Sequence, residues 1–404
     1  MKSSWPRKTI GEVCQFRGGG TPSKAVDRYW RGNIPWVSPK DMKFDVVSDS
    51  IDHISMEAID GSATSLIPKG SVLVVVRSGI LARIVPIAVT GRELTINQDL
   101  KALCPDGTVD AMFLYHLLHS KMGDLLGMVS RGATVHRLMT EQIRSLSFIL
   151  PPLPEQRRIV GILDETFEGI ATAKANAEKN LQNARALFES HLQSVFTERG
   201  EGWEEKPLAD LCDIKHGFAF KSEFFTDGGD YVLLTPGNFY ESGGYRDRGE
   251  KQKYYSGEIP DGFVLSKGDL LVAMTEQAAG LLGSPVLIPE SDKFLHNQRL
   301  GLVTKKPGVP WTNEFFFHVF NTYAVRKAIH DSASGVKVRH TSPTKIGEVV
   351  VSFPISIARQ RAIVSTLTDL ETETQRLATI YRQKLATLDE LKKSLLHQAF
   401  SGEL

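Results

Sequence analysis

Pro154-Glu155-Gln156-Arg157-Arg158-Ile159-Val160-Gly161-Ile162-Leu163 returns as Ala358-Arg359-Gln360-Arg361-Ala362-Ile363-Val364-Ser365-Thr366-Leu367, an offset of 204 from Gln156 to Gln360. The offset holds onward through Leu187/Leu391, Ser190/Ser394 and Phe196/Phe400. Upstream the echo continues but drifts. Trp5 and Cys14 recur as Trp203 and Cys212, and Lys69-Gly70 as Lys267-Gly268, at 198. Asn97-Gln98 with Leu100 recurs as Asn297-Gln298 with Leu300 at 200, and Gly132 matches Gly335. A repeat of about 200 residues, variable in its first part and phase-locked in its second, suits a target that itself has two parts.

The phase-locked parts read as long helices. Pro151-Pro152-Leu153-Pro154 closes a globule, and proline is favoured at a first helical position. No proline follows from Glu155 to about Thr197. A 4–3 register runs Leu163, Phe167, Ile170, Lys174, Ala177, Leu181, Ala184, Phe188, His191 and Val195. The second copy gives Leu367, Leu370, Thr374, Leu377, Tyr381, Lys384, Leu388, Leu391 and Leu395. Such spacing marks a coiled-coil seam. Each helix would be roughly 60 Å long at 1.5 Å per residue. The two seams match in length and phase, so they are expected to pair antiparallel with each other. The first parts are mixed. Val72 to Val76 is a buried-strand run, Pro86 to Val89 another, and residues 110–127 switch to helical spacing. In the second copy, strands near 264–274 precede a helix from about Asn313 to Ile329. The expected fold is α+β: two α/β domains in pseudo-twofold arrangement (1–150 and 201–354), separated by a long antiparallel two-helix coiled coil (151–200 and 355–404).

Composition excludes several classes. Hydrophobic residues make up 41% and charged residues 24% of 404, an ordinary globular balance. No apolar run is long enough to span a membrane. Met1 to Ile10 lacks the apolar core of a signal peptide. Three cysteines do not make a disulfide framework, so a reducing cytoplasm is expected. Net charge is +1. Residues 1–150 hold 18 basic and 14 acidic side chains, 18 − 14 = +4, and residues 201–354 hold 17 and 20, 17 − 20 = −3. A polyanion would therefore have to be met by local patches.

Gly19-Gly20-Thr21-Pro22-Ser23, Tyr29-Trp30-Arg31-Gly32-Asn33-Ile34-Pro35-Trp36, Gly70 to Val76 with Arg77-Ser78-Gly79, and Ile96-Asn97-Gln98 together resemble target recognition domains. Gly132-Ala133-Thr134 and Leu150-Pro151-Pro152-Leu153-Pro154-Glu155-Gln156-Arg157-Arg158-Ile159-Val160 are similar to such a domain's exit and spacer helix. The whole chain resembles the specificity subunit of type I restriction–modification enzymes. The second copy departs from the pattern. It has Phe218-Ala219-Phe220-Lys221 where Gly20-Thr21-Pro22-Ser23 stands, and Ser356-Ile357-Ala358-Arg359 for the proline-rich text. The resemblance implies a non-catalytic subunit that reads bipartite double-stranded DNA, with one half-site per domain and the helices setting the gap. It implies two methyltransferase (modification) subunits carrying S-adenosylmethionine, joined by motor/nuclease (restriction) subunits; this chain would hold no cofactor. The alternative is the specificity subunit of a bipartite type II-like cutter whose modification and nuclease functions share a chain.

Residue types and the repeat suggest where DNA would be met. Arg77-Ser78 follows a strand, and Thr134-Val135-His136-Arg137 follows Gly132 in a polar loop. Lys337, Arg339 and His340 occupy the matching second loop. Arginine can donate two bonds to guanine, and hydroxyls reach bases or phosphates. Glu276 and Gln277 differ from their first-copy equivalents, as base-reading residues should. Asn97-Gln98 and Asn297-Gln298, shared by both copies, are expected to brace a loop. His116 and His318 lie in aromatic helix faces and read as core or edge residues. Phe16-Arg17-Gly18-Gly19-Gly20 fits a nucleotide-binding loop, but its partner Ile214-Lys215-His216-Gly217-Phe218 loses the glycines. A lone glycine-rich match is weak. No zinc-ligand spacing, phosphate-binding loop or nuclease motif follows from Pro105-Asp106 or elsewhere.

Overall fold

The computed structural model describes residues 5–132, 134–277, 280–401 and 403–404. Ala133 and residues 1–4, on which two of the sequence readings partly rest, lie outside the described residues. The chain divides into two compact units, Met1–Glu178 with Arg382–Leu404, and Lys179–Tyr381. This partition differs from one drawn along the linear sequence, because each unit takes half of each long helix.

In the first unit, β1 (Cys14–Gly18), β2 (Val72–Val75), β3 (Arg77–Ser78), β4 (Ile87–Thr90) and β5 (Leu100–Pro105) precede α1 (Ala111–Ser120), β6 (His136–Arg137) and α2 (Leu153–Glu198). The main sheet runs β1-β5-β2-β4, with Val46–Val47 added parallel to β4 at the edge. Every residue of β2 is fully buried, as expected of a central strand with no polar side chain. Residues 110–127 are not one helix. The Asp110 side chain caps the start of α1, and the chain turns at Lys121 before Met122–Gly127.

The second unit repeats this plan: β7 (Cys212–His216), β8 (Leu270–Ala273), β9 (Thr275–Glu276), β10 (Pro285–Leu287), β11 (Leu300–Lys305), α3 (Asn313–Asn321), β12 (Arg339–His340) and α4 (Ile357–Ser401). Its sheet order is β7-β11-β8-β10. The expected single helix over 313–329 is likewise interrupted. Thr322 is extended, its hydroxyl donates to the Val319 carbonyl and accepts from the Val325 N–H, and a new helix spans Tyr323–Asp331.

Antiparallel helix packing occurs inside each unit. In the first, Ile159, Leu163 and Phe167 of α2 share a core with Leu395, Leu396, Ala399 and Phe400 of α4. Lys174 pairs with Asp389 at 2.6 Å, and the Phe400 ring meets Phe113 of α1 at 5.1 Å. In the second, Phe188, Leu192 and Phe196 of α2 share a core with Ile363, Val364 and Leu367 of α4. Leu163, Ile170 and Leu367 are buried. Phe167, Leu181, Phe188, Leu370, Leu377, Tyr381, Leu388 and Leu395 are half-buried. Two positions of the expected register fail. Lys384 and Leu391 are exposed, whereas Leu385, Leu396 and Ala399 turn inward. Near its end α4 packs on the globule as well as on α2, and the wider contact shifts the buried stripe.

The repeated glutamine bolts each helix to its globule. Gln156 is fully buried; its Nε2 donates to the carbonyls of Thr108 at 3.0 Å and Pro151 at 2.8 Å, and its Oε1 accepts from the Asp110 N–H at 2.7 Å. Gln360 does the same with the carbonyls of Pro310 and Pro354, and accepts from the N–H and hydroxyl of Thr312.

Candidate nucleic-acid interface

In the first unit, four of the sequence-predicted side chains come together on one ribbon. β3 leaves the buried strand β2 and pairs antiparallel with β6, His136 opposite Ser78 and Arg137 opposite Arg77. The Leu138 N–H donates to the Val76 carbonyl at 2.9 Å, which locks the ribbon to the sheet end. Ser130 and Arg137 exchange backbone bonds at 2.8 and 3.0 Å and close the hairpin. At its tip, a Cβ on Gly132 would lie 2.4 Å from the Val135 carbonyl oxygen, so only glycine fits. Arg77, Thr134 and Arg137 are exposed, and Ser78 and His136 half-buried. The Ser78 hydroxyl accepts from the Ile80 N–H at 3.3 Å. Arg77 pairs with Asp99 at 3.2 Å. Its side chain is about half exposed, so the pair orients the guanidinium more than it stabilises the fold.

Beside the ribbon stands the turn after β-strand residue Ile96. The Asn97 Oδ1 accepts from the Asp99 N–H at 3.0 Å, the self-bracing turn that asparagine favours. Gly19 backs onto this turn, where a Cβ would lie 2.1 Å from the Ile96 oxygen. Asn97 is buried and Gln98 exposed, so the shared pair divides into a brace and a surface amide.

The second unit builds the same corner with different side chains. β9 pairs with β12, Thr275 opposite His340 and Glu276 opposite Arg339. Gly335, at φ +98°, makes the hairpin tip. Asn297 braces its turn by accepting from the Arg299 N–H at 3.1 Å, with Gly217 packed behind it. An open groove of about 530 Å³ is lined by His216, Thr275, Gln298, Arg299 and His340, among others.

Two of the expected DNA contacts, Glu276 and Arg339, are engaged within the fold. Glu276 is 3% exposed, and its Oε2 accepts from the N–H groups of Gly280, Leu281 and Leu282 at 3.0 to 3.1 Å. Three backbone donors on one oxygen of a buried carboxylate anchor the loop, so the side chain does not present itself to a base. Arg339 is half-buried and donates to the His330 carbonyl at 2.7 Å, lying against the helix rather than the groove. Lys337, His340 and Gln277 remain exposed. Gln98 and Gln298, expected to brace a loop with the asparagines beside them, are exposed, and Gln298 lines the second groove with Arg299 and His216, which the sequence reading does not single out. The signal was present in the repeat: Asp99 and Arg299 are equivalents of opposite charge, and Arg77 is the equivalent of Thr275.

His116, His318 and the three cysteines are buried core groups. Burial pushes the Cys14 and Cys212 thiols up to about 12. His116 is buried and bonds Asp164 of α2 at 2.8 Å; burial lowers its pKa against the pull of that carboxylate. His318 packs against Phe188 and Phe317, and burial pushes its pKa down to about 4. An unfolded imidazole protonates near 6.5, so between 6.5 and about 4 the unfolded chain binds the extra proton and stability falls as pH drops. For this one group the loss at pH 5 is about 2 kcal/mol. A His318→Leu variant should therefore lose about 2 kcal/mol less than the parent in urea titrations taken at pH 7 and pH 5; equal losses would contradict the assignment. Among the described residues, no group of histidine, cysteine and acidic side chains has the geometry to hold a metal ion. No described helix is long and apolar enough to cross a membrane.

The sequence profile of the type I restriction modification DNA specificity domain matches residues 2–182 and 200–384. A type I restriction enzyme EcoR124I/EcoR124II specificity subunit from Escherichia coli is 41% identical over 160 residues, 39% of this chain and 40% of that one. The chain spans about half or less of the curated relatives first matched, 40% and 54% of their lengths. Solved structures share the fold over the whole chain. A chain from a study of complex assembly and conformational transition of the type I R-M system superposes with a TM-score of 0.76 at 16% identity, covering 100% of this chain and 99% of that one. The HsdS subunit from Thermoanaerobacter tengcongensis gives 0.66 at 16% identity, covering 100% and 98%. With two matched domains, two duplicated corners and two shared spacer helices, the chain belongs to the type I restriction modification DNA specificity domain family.

Proposed function

We propose that this chain is the non-catalytic DNA-recognition subunit of a type I restriction–modification system, with each corner reading one half of a bipartite duplex target. One observation carries the proposal: a single backbone arrangement, braced by the same glycine and asparagine, occurs in both units but presents different side chains. A scaffold that keeps its frame and changes only its exposed donors and acceptors suits two different half-sites. The weak net charge is compatible with this, because Arg77 and Arg137, or Lys337 and Arg299, supply local positive charge where it is needed.

In this reading α2 and α4 set the unspecified gap. Each is unbroken, over 46 and 45 residues, and each contributes to both units. A helical pair holds a distance that a flexible linker would not. Two modification subunits would carry S-adenosylmethionine and perform methylation, and motor/nuclease subunits would complete the restriction complex in the cytoplasm.

Exchange of residues 1–150 for another family member's recognition domain tests modularity. In cells supplying the modification subunits, methylated-motif sequencing should show one half-site replaced and the other kept. A motif changed in both halves, or in neither, would refute the assignment of one half to each unit.

A further inference from the structure

We infer that Arg299 is the guanine-reading side chain of the second unit; the inference rests on the DNA-recognition reading above and adds a base identity to it. The residue stands where the frame is most rigid. Its N–H donates to the Asn297 side chain at 3.1 Å, its carbonyl accepts from the Met274 N–H at 3.0 Å, and the next residue, Leu300, begins a buried strand. From this fixed backbone an exposed guanidinium borders the open groove, with Gln298, Thr275 and His340 also lining it.

The charge environment separates this arginine from its neighbours. Arg326 is half-buried and donates to the Gly280 carbonyl, and Arg339 donates to the His330 carbonyl of the 323–331 helix. Among the described residues no carboxylate lines the groove and none pairs with Arg299. The equivalent place in the first unit holds Asp99, whose carboxylate is paired with Arg77. The two corners thus offer opposite chemistry at one position: an acid already engaged and, among the described residues, a five-donor cation with no carboxylate paired to it. A fork of N–H donors fits a ligand presenting two adjacent acceptors, and in the major groove guanine O6 and N7 do so. A phosphate would accept the same donors, but phosphate contacts carry no sequence information.

The test uses the chain assembled with its modification subunits and a duplex library randomised over both half-sites at fixed salt. Wild type should enrich guanine at one position of the half read by the second unit. Arg299→Ala should reduce that preference roughly 10- to 100-fold while leaving the other half-site unchanged. Arg299→Lys keeps the charge but not the planar fork, and should also lower the preference with little change in overall affinity. A uniform loss of affinity across all sequences, with a shallower salt dependence, would make Arg299 a phosphate contact and overturn the inference. An unchanged guanine preference would overturn it too. A wild-type complex that selects no two-part motif would instead bring down the recognition reading, and this assignment with it.

Discussion

Gln360→Ala is expected to destabilise the second unit by about 3 kcal/mol, and Gln156→Ala the first by a similar amount. Each amide is fully buried and makes at least three bonds to a strand end, a loop and a helix start. Truncation strands two carbonyls and one N–H where no water replaces the amide, and each such orphan costs about 1–3 kcal/mol. The lost volume adds a cavity term. Gln360→Met separates the two causes, since it refills the space without restoring the bonds. It should recover little. Urea unfolding followed by tryptophan fluorescence can resolve the units, with Trp203 and Trp311 in the second and Trp5, Trp30 and Trp36 in the first. A loss below 1 kcal/mol in both variants would show that the glutamines are not the bolts described here.

These glutamines are legible in the sequence, because a phase-locked repeat places Gln156 and Gln360 at the same point of two helix starts. Their role is not. A glutamine at a helix N-terminus is ordinarily solvated, and only the fold brings Thr108 and Pro310 against it. The same limit explains Glu276. Its difference from Ser78 marked it as a reader, yet burial against the 280–282 loop makes it a structural anion. Arg299 failed in the opposite sense. The Asn-Gln pair beside it drew attention as the shared feature, while the informative change, Asp99 to Arg299, sat one residue beyond. At Leu163, Phe188 and Leu367 the expected seam positions are buried or half-buried. At Lys384 and Leu391 the expected register departs from the structure, where both side chains are exposed. Periodicity reports that a stripe is buried; it does not report against what.

The second large effect concerns the helices as a ruler. Insertion of seven residues after Ala177 in α2 and after Leu385 in α4 keeps the apolar seam in phase and lengthens both helices by about 10 Å. At about 3.4 Å per base pair this corresponds to roughly three added base pairs. The corners themselves are untouched: the ribbons β3–β6 and β9–β12 and their asparagine-braced turns lie far along the chain from either insertion. Neither half-site should change. Only the unspecified gap should.

Methylated-motif sequencing of cells carrying the double insertion with its modification subunits measures this directly. The expected motif has both parental half-sites and a gap longer by roughly three base pairs, or no methylation at all if the modification subunits cannot span it. Methylation of the parental motif with its parental gap would show that the paired helices do not set the distance.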